Sequence, residues 1–400
     1  MKYDLVVIGA GPAGMSAAIK AASHGAAVAV VDENSAAGGK LLGQLYKEPK
    51  SGWWIGKEVA KNLEDKVRKL GIDYFPEREV WGIFPKWNVM LNRGEVLQSD
   101  FVLLATGAAE KAIPVPGWTI PGVMSIGAAQ VLNNYHRVKP GNRIAIIGVD
   151  ALSLTVAHEL KLAGAQVTGI YLPPPDNFSN GMASPKQIIA YLSSLADAAP
   201  NYFLKIAGKI MRNESIQKIA ATVYPYRGMR ILGTPLFLRK SILKIEGEGE
   251  VEQIKIVKIT RDGICDMESI KTIKVDCVCI SGGLYPLSEL ASAAGCQFVY
   301  IEELGGHVPL HSNEMETTQT GIFVAGNITG IEGAKVAMAQ GELAGTAVSD
   351  RLGLLKSGTV IIKKAQERVE IARENALIKF KPEIQKGREI AEQLWNKKAT

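Results

Sequence analysis

The apolar positions of this chain fall into short continuous runs that end at glycine and alternate with alanine-rich stretches. That alternation predicts buried parallel strands connected by helices. Tyr3-Asp4-Leu5-Val6-Val7-Ile8 is a β-type run that enters Gly9-Ala10-Gly11-Pro12-Ala13-Gly14. An Ala-rich helix follows from Met15 to Ala22, then a strand, Ala27–Val31, ending at Asp32-Glu33. The spacing of Val59, Leu63, Val67 and Leu70 predicts a helix over roughly 56–70. Further β-like runs reach Phe101–Gly107, and Pro114, Pro116, Gly117, Pro121 and Gly122 punctuate a crossing segment. A second strand–helix–strand unit begins at Arg143–Gly148, with a helix over 151–163 and a strand Gln166–Leu172 stopped by three prolines. Asp276–Gly283 and Gly321–Gly326 read as strands ending in glycine, and Glu332–Val348 as an Ala-rich helix. The expected fold is α/β: two Rossmann-like dinucleotide-binding domains, the second inserted in the first, and a helical C-terminal tail. The boundaries read from the pattern are 1–112, 113–275, 276–350 and 351–400.

The first glycine turn carries the clearest chemistry. A lone GxGxxG is a weak signal. Here it lies between a strand and a helix, with an acid 23 positions after its first glycine. Gly9 permits the tight turn, Gly11 lets the backbone approach a pyrophosphate, and Gly14 lets the helix pack on the sheet. The helix start offers unpaired N–H groups and a positive dipole end. Asp32 can accept from a ribose hydroxyl.

The second turn departs from that fingerprint. It reads Gly148-Val149-Asp150-Ala151-Leu152-Ser153, so Asp150 brings a side chain and a negative charge to an anion site. At ~4 Å a like-charge contact costs on the order of 1 kcal/mol in water, and more when desolvated. The strand beyond ends Ile170-Tyr171-Leu172, with no acid for an NAD ribose and no arginine for an NADP phosphate. The inserted domain therefore reads as a degenerate, structural one, and NAD(P) is disfavoured. An adenine nucleotide in another pose stays open.

The chain has 400 residues, 47% hydrophobic and 22% charged, which suits large soluble cores. No apolar run reaches the ~20 residues of a membrane span, and a strand at the very start leaves no room for a signal peptide. The expectation is a cytoplasmic protein without a membrane span. None of Cys265, Cys277, Cys279 and Cys296 forms a CxxC pair, so no redox disulfide is expected; Cys277 and Cys279 read as core. His307 and His311 are separated by Pro309, which forbids a helical metal pair; no metal is expected. Net charge is +6, and residues 351–400 supply it with twelve Lys/Arg against six Asp/Glu. The tail's mixed signs and lack of aromatic interleaving favour a solvated helical tail or a subunit contact over nucleic acid or an anionic membrane.

With these pieces placed, residues 1–350 resemble the two-dinucleotide-domain flavoproteins of thioredoxin reductase and its relatives. A closer likeness is to the FAD-binding subunits of heteromeric amine and amino-acid oxidoreductases: sarcosine oxidase alpha, dye-linked proline dehydrogenase, opine oxidase and hydrogen cyanide synthase. Four stretches carry it: Val31-Asp32-Glu33-Asn34 with Gly38-Gly39-Lys40, Ala105–Lys111, Pro116–Met124, and Gly127-Ala128-Ala129-Gln130. The resemblance implies FAD at Gly9, Gly11, Pro12, Ala13, Gly14, Asp32, Glu33, Gly39, Lys40, Val80, Ala105, Thr106, Gly107, Gly326, Asn327 and Ala334. Where the family has Gly-Asp, with the acid on the ribityl chain, this chain has Gly326-Asn327. Asn can still accept through its carbonyl oxygen. The helix opening at Gly333-Ala334-Lys335 would aim its N-terminus at the flavin's pyrimidine edge. Gln44, Trp53 and Trp54 are open between flavin pocket, partner surface and loop packing.

The implied function is an electron-relaying dehydrogenase subunit. A second flavoprotein subunit would oxidise proline, hydroxyproline, sarcosine or an opine, and the assembly would be a homo- or hetero-oligomer. The rival readings are a stand-alone NAD(P)H-dependent reductase and a nucleotide-binding scaffold. No catalytic residue is legible. Opine-oxidase relatives carry a cysteine-rich cluster module after the flavin domain, and nothing after Cys296 is a cysteine. The tail instead holds two helix-length segments divided at Pro382, too short to fold alone. It must dock on the chain's own body or on a neighbour, and a partner subunit or symmetry mate, with Trp395 as anchor, is the expectation.

Overall fold

Leu5, Val6 and Val7 are all fully buried, so the first strand is covered on both faces, as parallel strands joined by helices require. It runs Lys2–Ile8 (β1) and turns into helix α1, Pro12–Ser23. Next come β2 (Val28–Val31), α2 (Gly56–Lys69), β3 (Asp73–Phe75), β4 (Val80–Phe84), β5 (Asn88–Leu91) and β6 (Val96–Leu104). The sheet order is β3-β2-β1-β6-β5-β4. β1 pairs in parallel with β2 (Leu5 with Val28) and with β6 (Val6 with Val102). The computed structural model describes residues 1–48, 52–176, 178–179, 181–196, 214–377 and 380–399. It divides into two compact units: Met1–Leu42 with Ile55–Ala109 and Leu284–Thr400, and Gly43–Trp54 with Glu110–Gly283.

The second unit is built on the strands β7 (Val123–Ser125), β8 (Arg143–Ile147), β9 (Gln166–Leu172), β10 (Met229–Ile231), β11 (Thr234–Glu246), β12 (Gln253–Ile259), β13 (Cys265–Lys274) and β14 (Cys277–Ile280). Its helices are α3 (Ile126–Asn134), α4 (Ala151–Leu162), α5 (Pro185–Ala196) and α6 (Glu214–Val223). The main sheet order is β7-β14-β8-β9-β11-β12-β13. β14 pairs in parallel with β8, Ala145 opposite Val278, so residues 277–280 belong to this sheet. This corrects the boundary read from the hydrophobic pattern, which assigns the segment from 276 to the first domain. A buried apolar strand ending in glycine fits either sheet, and only the pairing with β8 decides. Cys277 and Cys279 lie in the core of this unit with Ile126, Ile144 and Val156. The hairpin at Gly43–Trp54 also belongs here. In it the Trp54 Nε1–H donates to Gln44 Oε1 at 3.0 Å and Tyr46 stacks on Trp54, so Gln44 and Trp54 are partners of each other. Trp53 is exposed.

The chain then completes the first unit. β15 (Ile322–Val324) adds to β6 in parallel, and α7 (Ala334–Arg351) follows. α7 packs along α1 with almost nothing between the backbones. A Cβ on Gly341 would stand 2.1 Å from the Ala13 carbonyl oxygen, and one on Gly345 2.4 Å from that of Ala17. On the other side of α1, a Cβ on Gly14 would stand 1.9 Å from the Gly9 carbonyl oxygen. Small residues are the only ones that let two helices and a strand approach this closely.

The tail forms α8 (Gly358–Glu374) and α9 (Ile384–Ala399), and both dock on this same unit. Ile362, Ala365 and Val369 of α8 are buried, and α8 packs on α7. From α9, Ile384, Ile390 and Ala391 cover Ile301, Leu304 and Val308. Of the two expected docking places, the tail's buried face takes the chain's own body, while Val360 and Ile371 of α8 stay exposed. Trp395, the expected anchor, is half-buried.

Gly341→Ala separates two effects of opposite sign. Helix propensity favours Ala over Gly by about 1 kcal/mol, while the contact with Ala13 is overpacking worth about 1–3 kcal/mol of destabilisation. The expected outcome is a lower thermal midpoint; an unchanged or raised one would show that α1 and α7 can separate freely.

Candidate functional site

Both glycine turns use the same backbone device and finish differently. In the first unit Gly9 has φ +104°, and a Cβ there would lie 2.5 Å from the Ala105 carbonyl oxygen. The Ala105 N–H donates to the Ile8 carbonyl at 2.8 Å, so the ends of β1 and β6 are held together at this point. A Cβ on Gly11 would meet nothing within 4 Å. Gly11 is the N-cap of α1, makes no side-chain cap, and is followed by Pro12; the first turn holds no acid. The donors of Ala13 and Gly14 are therefore left to an external acceptor, at the positive end of the helix.

Asp32 is buried beneath this turn. Its Oδ2 accepts from the Ala10 N–H at 2.6 Å, and its Oδ1 from the Asn34 N–H at 2.8 Å. It fixes the turn and keeps lone pairs for a hydroxyl. The following loop closes over the turn: Gly38 N–H donates to the Ala10 carbonyl at 2.8 Å, and Gly39, at φ +51°, sits against the Gly11 backbone. Glu33 and Lys40 are exposed.

Two expected residues are placed otherwise. Val80 turns its side chain into the core of the first sheet with Ile83, Val89 and Leu91. Thr106 spends its hydroxyl on the Leu287 carbonyl, tying the β6 end to a later loop. Gly107, at φ +79°, has open space where a Cβ would stand.

The β15 end meets the same turn. A Cβ on Gly326 would be 2.9 Å from Ala13 Cβ. The Gly326 N–H donates to Gln340 Oε1 at 2.9 Å, and Asn327 Oδ1 accepts from the Glu332 N–H at 3.1 Å. α7 begins at Ala334 with N-cap Gly333, no side-chain cap and no acid in its first turn. The unit thus holds two uncapped helix starts, α1 and α7, at an offset fixed by the glycine contact, which sets Ala13 against Gly341, two turns into α7. A dinucleotide with a pyrophosphate at α1 and an electron-rich ring edge at α7 fits this cradle. Sequence reasoning missed Gln340 and Glu332. Gln340 carried a usable signal, a polar residue on the small-residue face of an otherwise buried helix.

The second turn retains the shape without the opening. Gly148 has φ +98°, with the Ser281 carbonyl 2.0 Å from a would-be Cβ. Asp150 is the N-cap of α4: its Oδ1 accepts from the Ser153 N–H at 2.7 Å, and Ser153 Oγ accepts from the Asp150 N–H at 2.9 Å. Ser281 Oγ–H donates to Asp150 Oδ2 at 2.7 Å, and the Ala151 N–H donates to the Tyr191 hydroxyl at 3.2 Å. The N–H groups of Asp150, Ala151 and Ser153 at this helix start are already bonded within the chain.

α4 itself carries a buried carboxylate, Glu159, with no ion pair among the described residues. Glu159 accepts from Gln130 Nε2 at 3.1 Å and Asn134 Nδ2 at 2.8 Å; Asn134 Nδ2 also donates to the Gly43 carbonyl. Burial pushes the Glu159 carboxyl up to about 7, against the opposing pull of those two amides.

Residues 3–341 match the family described as pyridine nucleotide-disulphide oxidoreductase. The chain belongs to that family. It is a flavoprotein oxidoreductase chain. Over 371 residues it is 30% identical to an opine oxidase subunit of Agrobacterium tumefaciens, covering 89% of this chain and 67% of that protein. It is 26% identical over 397 residues to the hydrogen cyanide synthase subunit HcnB of Pseudomonas aeruginosa, covering 96% and 78%. Among solved structures, L-proline dehydrogenase from P. horikoshii superposes with a TM-score of 0.64 at 19% identity, over 92% of this chain and 59% of that one. Its likeness is one of fold. No helix among the described residues is long and apolar enough to cross a membrane.

The Glu159 environment sets a pH dependence. A carboxyl raised in the folded state contributes stability that is full below about pH 4.5 and lost as pH rises through about 7. Glu159→Gln mimics the protonated form. It should flatten this slope and leave the variant up to about 3 kcal/mol more stable than the parent at pH 8, with little difference at pH 4.5. Urea denaturation at the two pH values reads the difference, and parallel curves would refute it.

Proposed function

We propose that this chain is the FAD-binding, electron-relaying subunit of a heteromeric amine or amino-acid dehydrogenase. The observation that carries this reading is the contrast between its two nucleotide turns. The first offers free helix donors above Gly11; the second satisfies its donors with Asp150, Ser153 and Tyr191. A chain with one open dinucleotide site and one closed one has a place for FAD and none for a nicotinamide donor in the usual pose. Its electrons then come from another source. Relatives named as opine oxidase and sarcosine oxidase subunits support a partner subunit that oxidises a secondary amine or amino acid, and our reading places its substrate in the proline, hydroxyproline, sarcosine or opine class.

When bound, FAD supplies a centre that takes up and passes on electrons. The chain's own residues bind and orient it. The main chain at Gly11, Ala13 and Gly14 would hold the pyrophosphate, and Asp32 the adenosine ribose. Gly326 and Asn327 would face the ribityl chain. The Ala334 end of α7 would meet the pyrimidine edge, where reduction places negative charge. Because Asn327 Oδ1 accepts from the Glu332 N–H, the residue that replaces the family's acid also closes its own loop. The free thiols of Cys265, Cys277, Cys279 and Cys296 suit a reducing, cytoplasmic setting.

Two measurements test the reading. Gly11→Asp puts a carboxylate where the pyrophosphate would lie, and the variant should purify without flavin; a variant as yellow as the parent would sink the site. NADH and NADPH should reduce the parent's flavin slowly and without saturation at micromolar concentration. Fast, saturable bleaching in stopped flow would instead support the nicotinamide-dependent reductase. A flavin left oxidised in the presence of an amine-oxidising partner would return the chain to the scaffold reading.

A further inference from the structure

The docked tail reaches the flavin-facing loop with charge. Arg388 of α9 is buried, its side chain 10% exposed. Its Nη1 donates to the Thr329 carbonyl at 2.7 Å and its Nη2 to Thr329 Oγ1 at 3.1 Å. The same Nη2 meets Glu332 Oε2. Arg373 of α8 comes to the other oxygen: its Nε donates to Glu332 Oε1 at 3.0 Å. Glu332 is two residues before α7 and its side chain is 8% exposed. From there the bonds run back into the site. Thr329 Oγ1 donates to the Gly326 carbonyl at 2.9 Å, the Glu332 N–H to Asn327, and the Gly326 N–H to Gln340. Gln340 Nε2 lies 3.5 Å from Glu332 Oε2.

Two guanidinium groups therefore flank one buried carboxylate behind the start of α7, with the second carboxylate of the cluster, Glu370, at the surface. Glu370 also pairs with Arg373, but from the solvent side, with a side chain 56% exposed. His311 is half-buried nearby and stays neutral, since desolvation and the two arginines push it down to about 4.

We infer that Arg388 is a positioning residue for the bound flavin: it clamps the loop 326–333 and supplies positive charge behind the helix start that faces the flavin's pyrimidine edge. The inference rests on the FAD reading above. Its substance is that a segment outside the dinucleotide fold sets the affinity and the potential of the cofactor. A fork-shaped guanidinium does two separable things here. Its two-pronged bonding to Thr329 holds the loop in one conformation, and its charge favours an electron-rich ring.

The test uses the full chain with FAD as the probe. Arg388→Met retains the apolar stem and removes both effects. It should raise the FAD dissociation constant roughly tenfold or more, the scale of one lost charge-assisted bond, and move the flavin potential to a more negative value. Arg388→Lys retains the charge without the fork. It should bind FAD more weakly than the parent yet hold the parent's potential. Should Arg388→Met fail to fold, Glu332→Gln/Arg388→Met removes the buried pair together without changing the net charge, and FAD affinity alone is read on it, with Arg388→Lys reporting the potential. A folded variant with the parent's affinity and potential overturns the inference. So does an equal fall in potential for Lys and Met, which would mark a structural lesion without an electrostatic role. A parent that binds no FAD, or a Gly11→Asp variant that binds it normally, would instead overturn the underlying reading.

Discussion

The contact between α1 and α7 governs the site. No side chain larger than a methyl separates their backbones where Gly341 meets Ala13 and Gly345 meets Ala17. That proximity fixes the offset between two helix starts, since Ala13 in the first turn of α1 meets Gly341, two turns into α7. Each start is an array of unsatisfied N–H groups carrying roughly half a positive charge. One such end is a modest anion site. Two at a fixed separation match a ligand that is anionic in the middle and becomes electron-rich at one end. The glycines at 14, 341 and 345 are thus structural residues whose effect is felt in binding.

The two glycine turns show how little separates a ligand site from a helix cap. Both place a positive-φ glycine at the end of a central strand against a neighbouring carbonyl, Ala105 in one and Ser281 in the other. They diverge two residues later. Gly11 adds no atoms and leaves the first turn of α1 unbonded. Asp150 adds a carboxylate that accepts from Ser153 and Ser281. A capping box is worth about as much to the helix as a surface-bound anion would be, so the second unit is stable as a closed module. The buried Glu159, held only by amides, is another place where this unit has kept polarity in its interior.

In the first unit the polar groups around the 326–333 loop form one connected set. Gly326, Asn327, Thr329, Glu332 and Gln340 satisfy one another, and Arg373 and Arg388 complete the set from the tail. Removing one member strands its neighbours away from water, which costs more than the lost bond itself. The tail is therefore integral to the first unit. Its hydrophobic cover on Leu304 and its arginines on Glu332 act together.

The chain's own pattern determined the local units. Continuous apolar runs ending in glycine marked β1, β6, β8, β14 and β15, because a strand buried on both faces has no polar alternation to show. The fingerprint at Gly9–Gly14 and the acid at Asp32 were legible because turn, helix start and strand end are close in sequence. Asp150 was legible as a defect for the same reason. Tertiary structure decided what depends on distant pairing. Residues 277–280 joined the second sheet through β8, a partner more than a hundred residues away. Val80 turned into the core, and Thr106 was used by Leu287. The tail's amphipathic helices could have covered any apolar surface; the fold gave them Ile301, Leu304 and Val308 of their own unit. Arg388 looked like one basic residue among many. Only its burial against Thr329 and Glu332 gives its charge a defined place, because a charge in sequence has no environment until the chain around it has folded.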